Sequence, residues 1–413
     1  MPGSCYKSAS LLLLLVAVLS QSSAQQPQLP ITPDQPSNAN YNDPIRREAM
    51  RLFDQHRMSE AVPMLERVVE KFPGDMVAHE RLGAALVSRA DTQTDPERKR
   101  ADRRQARAEL LRAKELGDNS DLCNFLLAAL PEDGSDVPFS DNKDVDAAMQ
   151  RGEAAFADGK YEDAISEYSR ALELNPKLYL AAVDIGDSYF RLKQMDKAGE
   201  WFARAIEINP NQETAYRYWG DALMAQGKMK ESRSKFIEGL VANPYTQSSW
   251  AGLNGWLRKN RQAYNKLNIQ TPQPPAPAAN GGTNITIDPS TLGKNNGGEA
   301  WITYPMERAL WRNEKFVKEF PRAKSYRHSL KEEVSALSVV ASVFDENKKK
   351  GKIKNPDPAL ILLSQIKADG FLEPYVLLVR PDEGIAQDYM VYQAANRDKL
   401  IQFVDKYVLP PMP

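Results

Sequence analysis

Small and large apolar residues recur at a fixed spacing along the middle of the chain. Three consecutive blocks, 145–178, 179–212 and 213–246, repeat one pattern with a period of 34 residues. A fixed period of this length is the sequence signature of a repeat. Small residues hold the eighth, twentieth and twenty-seventh places, namely Gly152, Gly186, Gly220, Ala164, Ala198, Ser232, Ala171, Ala205 and Gly239. Large apolar residues hold the twenty-fourth and twenty-eighth places, namely Tyr168, Phe202, Phe236, Leu172, Ile206 and Leu240.

Each block predicts two antiparallel helices joined by a short turn. Small residues let the two helix backbones approach, and the large residue at the twenty-fourth place fills the space beside them. A proline ends the second helix, because it has no amide hydrogen and disfavours helical geometry in the residue before it. These prolines are Pro176, Pro210 and Pro244. The turns are centred on Gly159, Lys193 and Gly227, and the two glycines permit a left-handed conformation.

The three blocks resemble the tetratricopeptide repeat at its diagnostic small and aromatic places. In that family, helix pairs stack into a right-handed superhelix whose first helices line a concave groove that binds peptides or partner proteins. The resemblance therefore implies an all-α fold, a helical solenoid, and a role in protein binding. The periodicity by itself predicts only stacked helix pairs, and an ordinary helical bundle is the alternative.

The family also indicates which side chains would line the groove, at the second, fifth, ninth, twelfth and thirteenth places of each first helix. In this sequence the ninth place is acidic in every block and the twelfth is apolar. The basic and asparagine residues with which some members hold a terminal carboxylate are missing, so no such clamp is predicted. The candidate partner-binding residues are Met149, Glu153, Phe156, Val183, Asp187, Phe190, Arg191, Arg217, Asp221 and Met224.

A row of carboxylates beside an apolar stripe favours one kind of partner. We expect a protein or peptide whose extended segment carries lysine or arginine along its length. An acid after the glycine can equally serve only local capping or solubility.

The amino-terminal part of the chain predicts export followed by weaker repeats. Residues 1–24 read as a signal peptide, with an apolar run too short to span a bilayer comfortably, and an uncleaved anchor is the alternative. Residues 25–42 are rich in Gln, Pro and Asn and predict a disordered leader. Residues 43–130 repeat the pattern in degenerate form with an insertion. After signal removal Cys123 is the remaining cysteine, and its apolar surroundings indicate core packing.

The carboxy-terminal part predicts a further folded unit. Residues 247–261 predict a helix that caps the last repeat, and the Pro-, Gly- and Asn-rich stretch 262–299 predicts a semi-flexible linker. Residues 300–413 predict a separate, mostly helical domain that resembles no family we identify.

Composition and chemistry narrow the function. The net charge of −1 gives no electrostatic reason to expect nucleic acid or strong membrane binding as a main role. The chain has 3 histidines, none at metal spacing, so no metal, cofactor or catalytic residue is predicted. His328 beside a helix start could carry an acid-base pair or an anion site, although a surface cap is the simpler interpretation. The basic runs near residues 98–107 and 348–352 are interpreted as solvated surfaces.

Two function classes follow. The preferred one is a non-catalytic scaffold or adaptor, periplasmic or secreted, whose repeats bind a partner segment. The alternative is an enzyme or ligand-binding protein with its activity in residues 300–413 and the repeats as a targeting module.

Overall fold

A computed structural model of the chain describes residues 43–93, 95–135, 138–277, 283–285 and 294–412. The predicted signal peptide and leader lie outside the described residues. Regular structure is almost entirely helical, and one short antiparallel pair joins β1 (Ala276–Pro277) to β2 (Thr283–Asn284). Contacts divide the described residues into two compact units, with the boundary between Trp201 and Phe202.

The first unit is built from helical hairpins. Its helices are α1 (Pro44–Asp54), α2 (Met58–Lys71), α3 (Met76–Thr92), α4 (Pro96–Glu115), α5 (Asp121–Ala129), α6 (Lys143–Ala157), α7 (Tyr161–Leu174) and α8 (Tyr179–Arg191). The next helix, α9 (Met195–Ile208), contains the boundary between the units. None of the described helices is both long and apolar enough to cross a membrane.

The glycines at the eighth place show why the repeat pattern uses small residues there. A Cβ added to Gly152 would lie 2.4 Å from the Tyr168 ring, and one added to Gly220 would lie 2.6 Å from the Phe236 ring. Contacts that short do not occur, so the helices of each hairpin can be this close only without a side chain at that place. The same arrangement recurs in the degenerate region, where a Cβ on Gly83 would lie 2.6 Å from Leu110.

The turns within the three strong repeats share one backbone conformation. Gly159 and Gly227 have φ values of 75° and 77°, and Lys193 has a φ of 62°. Left-handed geometry is therefore required at the centre of every turn, including the turn that lacks glycine. A lysine there carries steric strain between its Cβ and the backbone.

The second unit contains the third repeat and the whole carboxy-terminal region. Its helices are α10 (Glu213–Ala225), α11 (Met229–Ala242), α12 (Gln247–Lys259), α13 (Thr303–Leu310), α14 (Phe316–Glu319), α15 (Leu330–Lys349), α16 (Pro358–Ala368), α17 (Leu372–Val379), α18 (Glu383–Ala386) and α19 (Tyr389–Phe403). A 3₁₀ segment (Gly298–Ile302) precedes α13, and π-helical turns follow α13 (Trp311–Lys315) and α19 (Val404–Val408).

The carboxy-terminal helices are not a separate body, which corrects the sequence-based prediction. One buried apolar cluster runs from Phe236 and Leu240 of the third repeat through Trp256 to Leu337 and Phe403. Helix α19 packs on α11, where the Tyr389 hydroxyl donates to the backbone carbonyl of Val241 at 2.6 Å. The last repeat and the carboxy-terminal helices thus share a single core.

The first part of the predicted linker is packed, which is a second correction. Ile269 is 4 % exposed, and Tyr264 and Leu267 lie against the same core. The Asn265 amide donates to the carbonyls of Tyr407 and Leu409 at 3.1 and 2.9 Å. Composition misled here because proline and asparagine indicate irregular backbone, and irregular backbone can still pack when its polar groups find partners.

Candidate functional site

The first-helix face of the first unit is formed by α6 and α8. Glu153 is half-buried and accepts a hydrogen bond of 2.8 Å from the Tyr168 hydroxyl. Asp187 lies 3.6 Å from the Arg191 guanidinium one turn later, and that guanidinium also covers the Phe156 ring at 5.8 Å. The predicted row of acids is therefore already partly compensated by neighbouring side chains.

Four of the predicted binding residues are buried. Met149 and Val183 have no exposed surface, Phe156 is 5 % exposed and Asp187 is 6 % exposed. Phe156 packs edge-on against Tyr161 at 5.1 Å and lies beneath Arg191. A partner cannot reach Met149 or Val183, because these side chains pack inside the unit. Phe190 remains half-exposed and available for contact.

A buried acid that sequence reasoning missed lies behind this face. Asp184 of α8 has no exposed surface, and neither carboxylate oxygen has a hydrogen-bond partner in the described part of the chain. Burial and the nearby charges of Glu153 and Asp187 raise the pKa of Asp184 well above its usual range. The available signal was an acid in the apolar run from Ala181 to Ile185, at a place where the other two repeats carry Gln150 and Tyr218.

The corresponding face of the second unit is formed by α10. Arg217 covers the Tyr218 ring at 4.6 Å and lies 3.7 Å from Glu213. Burial raises the pKa of Asp221 to about 6, although Arg217 opposes the shift. Met224 is half-buried and packs on the edge of the core. This face combines an apolar side chain, one cation and one weakly acidic carboxyl.

His328, the one histidine with a proposed chemical role, belongs to a buried ion network in the second unit. Its Nδ1 lies 2.5 Å from Asp382 and its Nε2 lies 3.2 Å from Glu333. Glu333 also accepts from the Tyr304 hydroxyl and pairs with Arg308. Burial opposes protonation, but the bonds to Glu333 and Asp382 raise the pKa of His328. Both ring nitrogens are engaged, so the network fits a structural connection between α15 and the segment before α18.

Other candidate features are accounted for by local contacts. A surface cleft of about 540 Å³ follows the loop 320–327, and its lining residues do not include His328. Within the basic run, Arg103 is buried, and Arg107 donates to the carbonyls of Leu127 and Leu130 at 2.9 and 2.8 Å. Cys123 is buried, and burial raises the pKa of its thiol to about 12, which fits core packing. The described residues hold no group of three or more His, Cys, Asp or Glu side chains suited to a metal ion.

Solved structures similar to this chain are domains of tetratricopeptide repeats. The tetratricopeptide domain of Arabidopsis OM64 is 20% identical and aligns with 29% of this chain and 97% of its own length, with a TM-score of 0.27. The Sgt2 domain from Aspergillus fumigatus is 22% identical over 34% of this chain and 95% of its own, with a TM-score of 0.28. The second domain of human RPAP3, solved with an HSP70 peptide, is 23% identical over 27% of this chain and 94% of its own, with a TM-score of 0.26. Similarity at this level says nothing about the partner of this chain.

No curated protein matches the sequence. The model of the tetratricopeptide repeat family matches residues 149–213. That match covers the first two strong blocks, where Gly152 meets Tyr168 and the turns take left-handed geometry. The chain therefore contains tetratricopeptide repeats.

Proposed function

We propose that this protein is an exported, non-catalytic adaptor that holds an extended segment of a partner protein on the first-helix faces of its repeats. The observation that carries the proposal is the set of accessible side chains on those faces. In the first unit Phe190 offers apolar contact and Glu153 a carboxyl group, and in the second unit Met224 and Asp221 offer the same two kinds of contact. A face of this composition suits a peptide with alternating apolar and basic side chains.

The carboxy-terminal helices have a supporting role in this proposal. An exposed last repeat would leave apolar surface in water, and repeat arrays need a cap there. Here α12 and the helices after it cover the third repeat and order its backbone through Tyr389 and Gln393. They stabilise α10, and they also contact one of its predicted binding residues, because Met224 packs against this core and its carbonyl accepts a hydrogen bond of 3.2 Å from Lys259 of α12.

The experiment compares the proteins that co-purify with three forms of the full chain. These are the wild type, the double variant Phe190→Ser with Met224→Ser, and a control variant. Leu174 is 46 % exposed on a second helix, so Leu174→Ser removes a similar apolar side chain from another surface. We expect the double variant to lose a specific partner that the control retains. If the double variant retains the same set of partners, the first helices of the repeats do not bind them.

The export component has its own test. We expect the protein recovered outside the cytoplasm to lack residues 1–24, as shown by its intact mass. A protein that retains them in the cytoplasm contradicts export.

A further inference from the structure

The surface cleft along the loop 320–327 contains two cations that local contacts leave unpaired. Its volume of about 540 Å³ lies within the range of roughly 300–1,000 Å³ that is usual for ligand pockets. Arg322 and Lys324 are exposed in its lining, and neither pairs with a carboxylate in the described part of the chain. Their charges are therefore available to a ligand.

Two acids close to the lining in sequence are already engaged by other side chains. Asp388 follows Gln387 of the lining and pairs with Arg327, the third cation of the cleft. Asp382 pairs with His328. The residues that line the cleft, all of them in the described part of the chain, include no acid. The cleft therefore carries an excess of positive charge.

The cleft also has an apolar part, which neighbouring contacts hold in place. Its apolar lining residues are Phe320, Pro321 and Ala323. The Phe320 ring packs on Phe316 with 5.0 Å between ring centroids, and the Arg327 guanidinium lies 5.2 Å from the centroid of the Phe320 ring. Arg327 also donates to the Gly384 carbonyl at 2.7 Å, which ties the loop to the segment that carries Gln387. The cleft is therefore formed in the absence of a ligand, so binding has little ordering cost.

We propose that this cleft binds an acidic segment of a second partner protein, with an apolar side chain on Phe320 and with carboxylates on Arg322 and Lys324. Guanidinium and ammonium groups offer only donors, which carboxylate oxygens accept. The Ser325 hydroxyl and the Gln387 side-chain amide are groups that bind a peptide backbone. A small inorganic anion would leave the apolar lining uncovered, so a segment that supplies both kinds of side chain is the better fit.

This partner differs from the one proposed for the repeats. The first-helix faces carry acids and suit basic side chains, whereas the cleft carries cations and suits acidic ones. The cleft would therefore give the protein a second kind of partner, as an adaptor requires.

The experiment measures the binding of three short peptides, capped at both ends, to the full chain by calorimetry. In the first peptide two glutamates flank a central leucine. Glutamines replace the glutamates in the second, and alanine replaces the leucine in the third. We expect the first peptide to bind about tenfold tighter than either of the others, because each change removes one of the two kinds of contact. Its affinity should fall as the salt concentration rises.

A double variant and a matched control assign the binding to the cleft. Arg322→Ser with Lys324→Ser should weaken the first peptide about tenfold and leave the glutamine peptide unchanged. Lys348→Ser with Lys349→Ser removes two exposed cations from the end of α15 and changes the net charge by the same amount. This control should match the wild type, and circular dichroism verifies that both variants are folded.

The proposal is overturned if the first peptide does not bind, if it binds no tighter than either of the others, or if the double variant binds it as tightly as the wild type. Binding of inorganic phosphate, titrated alone, together with binding of none of the peptides would show a simple anion site and would also overturn it. Arg322 and Lys324 lie outside the repeats, so such a result leaves partner capture by Phe190 and Met224 as a separate question with its own test.

Discussion

Single residues in the repeats are set by backbone geometry and by burial. The left-handed conformation at the centre of the turn favours glycine. One of the three copies has a lysine there instead, Lys193. Burial sets the acidity of the ninth-place acid, as the raised pKa of Asp221 shows. Backbone strain at Lys193 and desolvation of the Asp221 carboxyl each lower the stability of the fold. A single substitution can relieve each of them.

Lys193→Gly should stabilise the protein. Glycine removes the left-handed strain of about 1–2 kcal/mol, although it gives the unfolded chain more freedom, so the net gain is about 0.5–1 kcal/mol. Denaturant unfolding measures the change. Arg170→Gly in the middle of α7 is the control and should cost about 1 kcal/mol. Equal destabilisation by both substitutions would contradict the turn geometry.

Asp221→Asn should alter the pH dependence of stability. The folded-state pKa of Asp221 is raised to about 6, so the folded state binds this proton more strongly than the unfolded state. The contribution of Asp221 is therefore complete below its unfolded pKa and is lost as the pH rises through about 6. In thermal melts, the variant should gain on the wild type between about pH 4 and pH 7. A difference in melting temperature that is constant with pH would refute the assignment.

Helical hairpins are specified by close contacts that the sequence pattern makes visible. The glycine at the eighth place and the ring at the twenty-fourth are a matched pair, as Gly220 and Phe236 show. The Phe236 ring also packs on Gly252 of α12, where an added Cβ would lie 2.4 Å from the ring. This close contact holds the capping helix on the last repeat. Spacing alone predicted the pairs between the eighth and twenty-fourth places, because those contacts are local and repeated, but it did not predict the contact with Gly252.

Two glycines of α12 should respond to alanine in opposite ways. Gly252→Ala introduces a clash with the Phe236 ring and should cost about 1–3 kcal/mol. Gly255 has nothing within 4 Å of an added Cβ, so Gly255→Ala should gain about 1 kcal/mol from helix propensity. Chemical unfolding of both variants measures this difference. A similar effect from the two substitutions would mean that α12 does not pack on the ring.

At the scale of the whole molecule, long-range contacts determine what the local pattern could not predict. The helix pairs and their turns follow from local spacing. The shared core of the second unit does not, because Arg233 meets Asp405 and the carbonyl of Pro410 across more than 170 residues. Nor did spacing reveal Asp184, whose environment is made by three helices together.

Tyr389→Phe should loosen the third repeat, although it changes a residue of the carboxy-terminal region. The backbone carbonyl of Val241 would lose its buried bond to the Tyr389 hydroxyl, at a cost of about 1–2 kcal/mol. Hydrogen exchange of the amides in α11 reports the loss. Tyr392→Phe is the matched control, because the Tyr392 hydroxyl has no partner in the described part of the chain. Unchanged exchange in α11 for Tyr389→Phe would contradict the shared core.

The most direct test of partner binding is photo-crosslinking from a reactive amino acid placed at position 190, 224 or 174 of the full chain in its native cells. The account predicts adducts from positions 190 and 224 that mass spectrometry maps to a partner segment that carries basic side chains. It predicts no such adduct from position 174. Adducts to that segment from position 174, or none from positions 190 and 224, would contradict it.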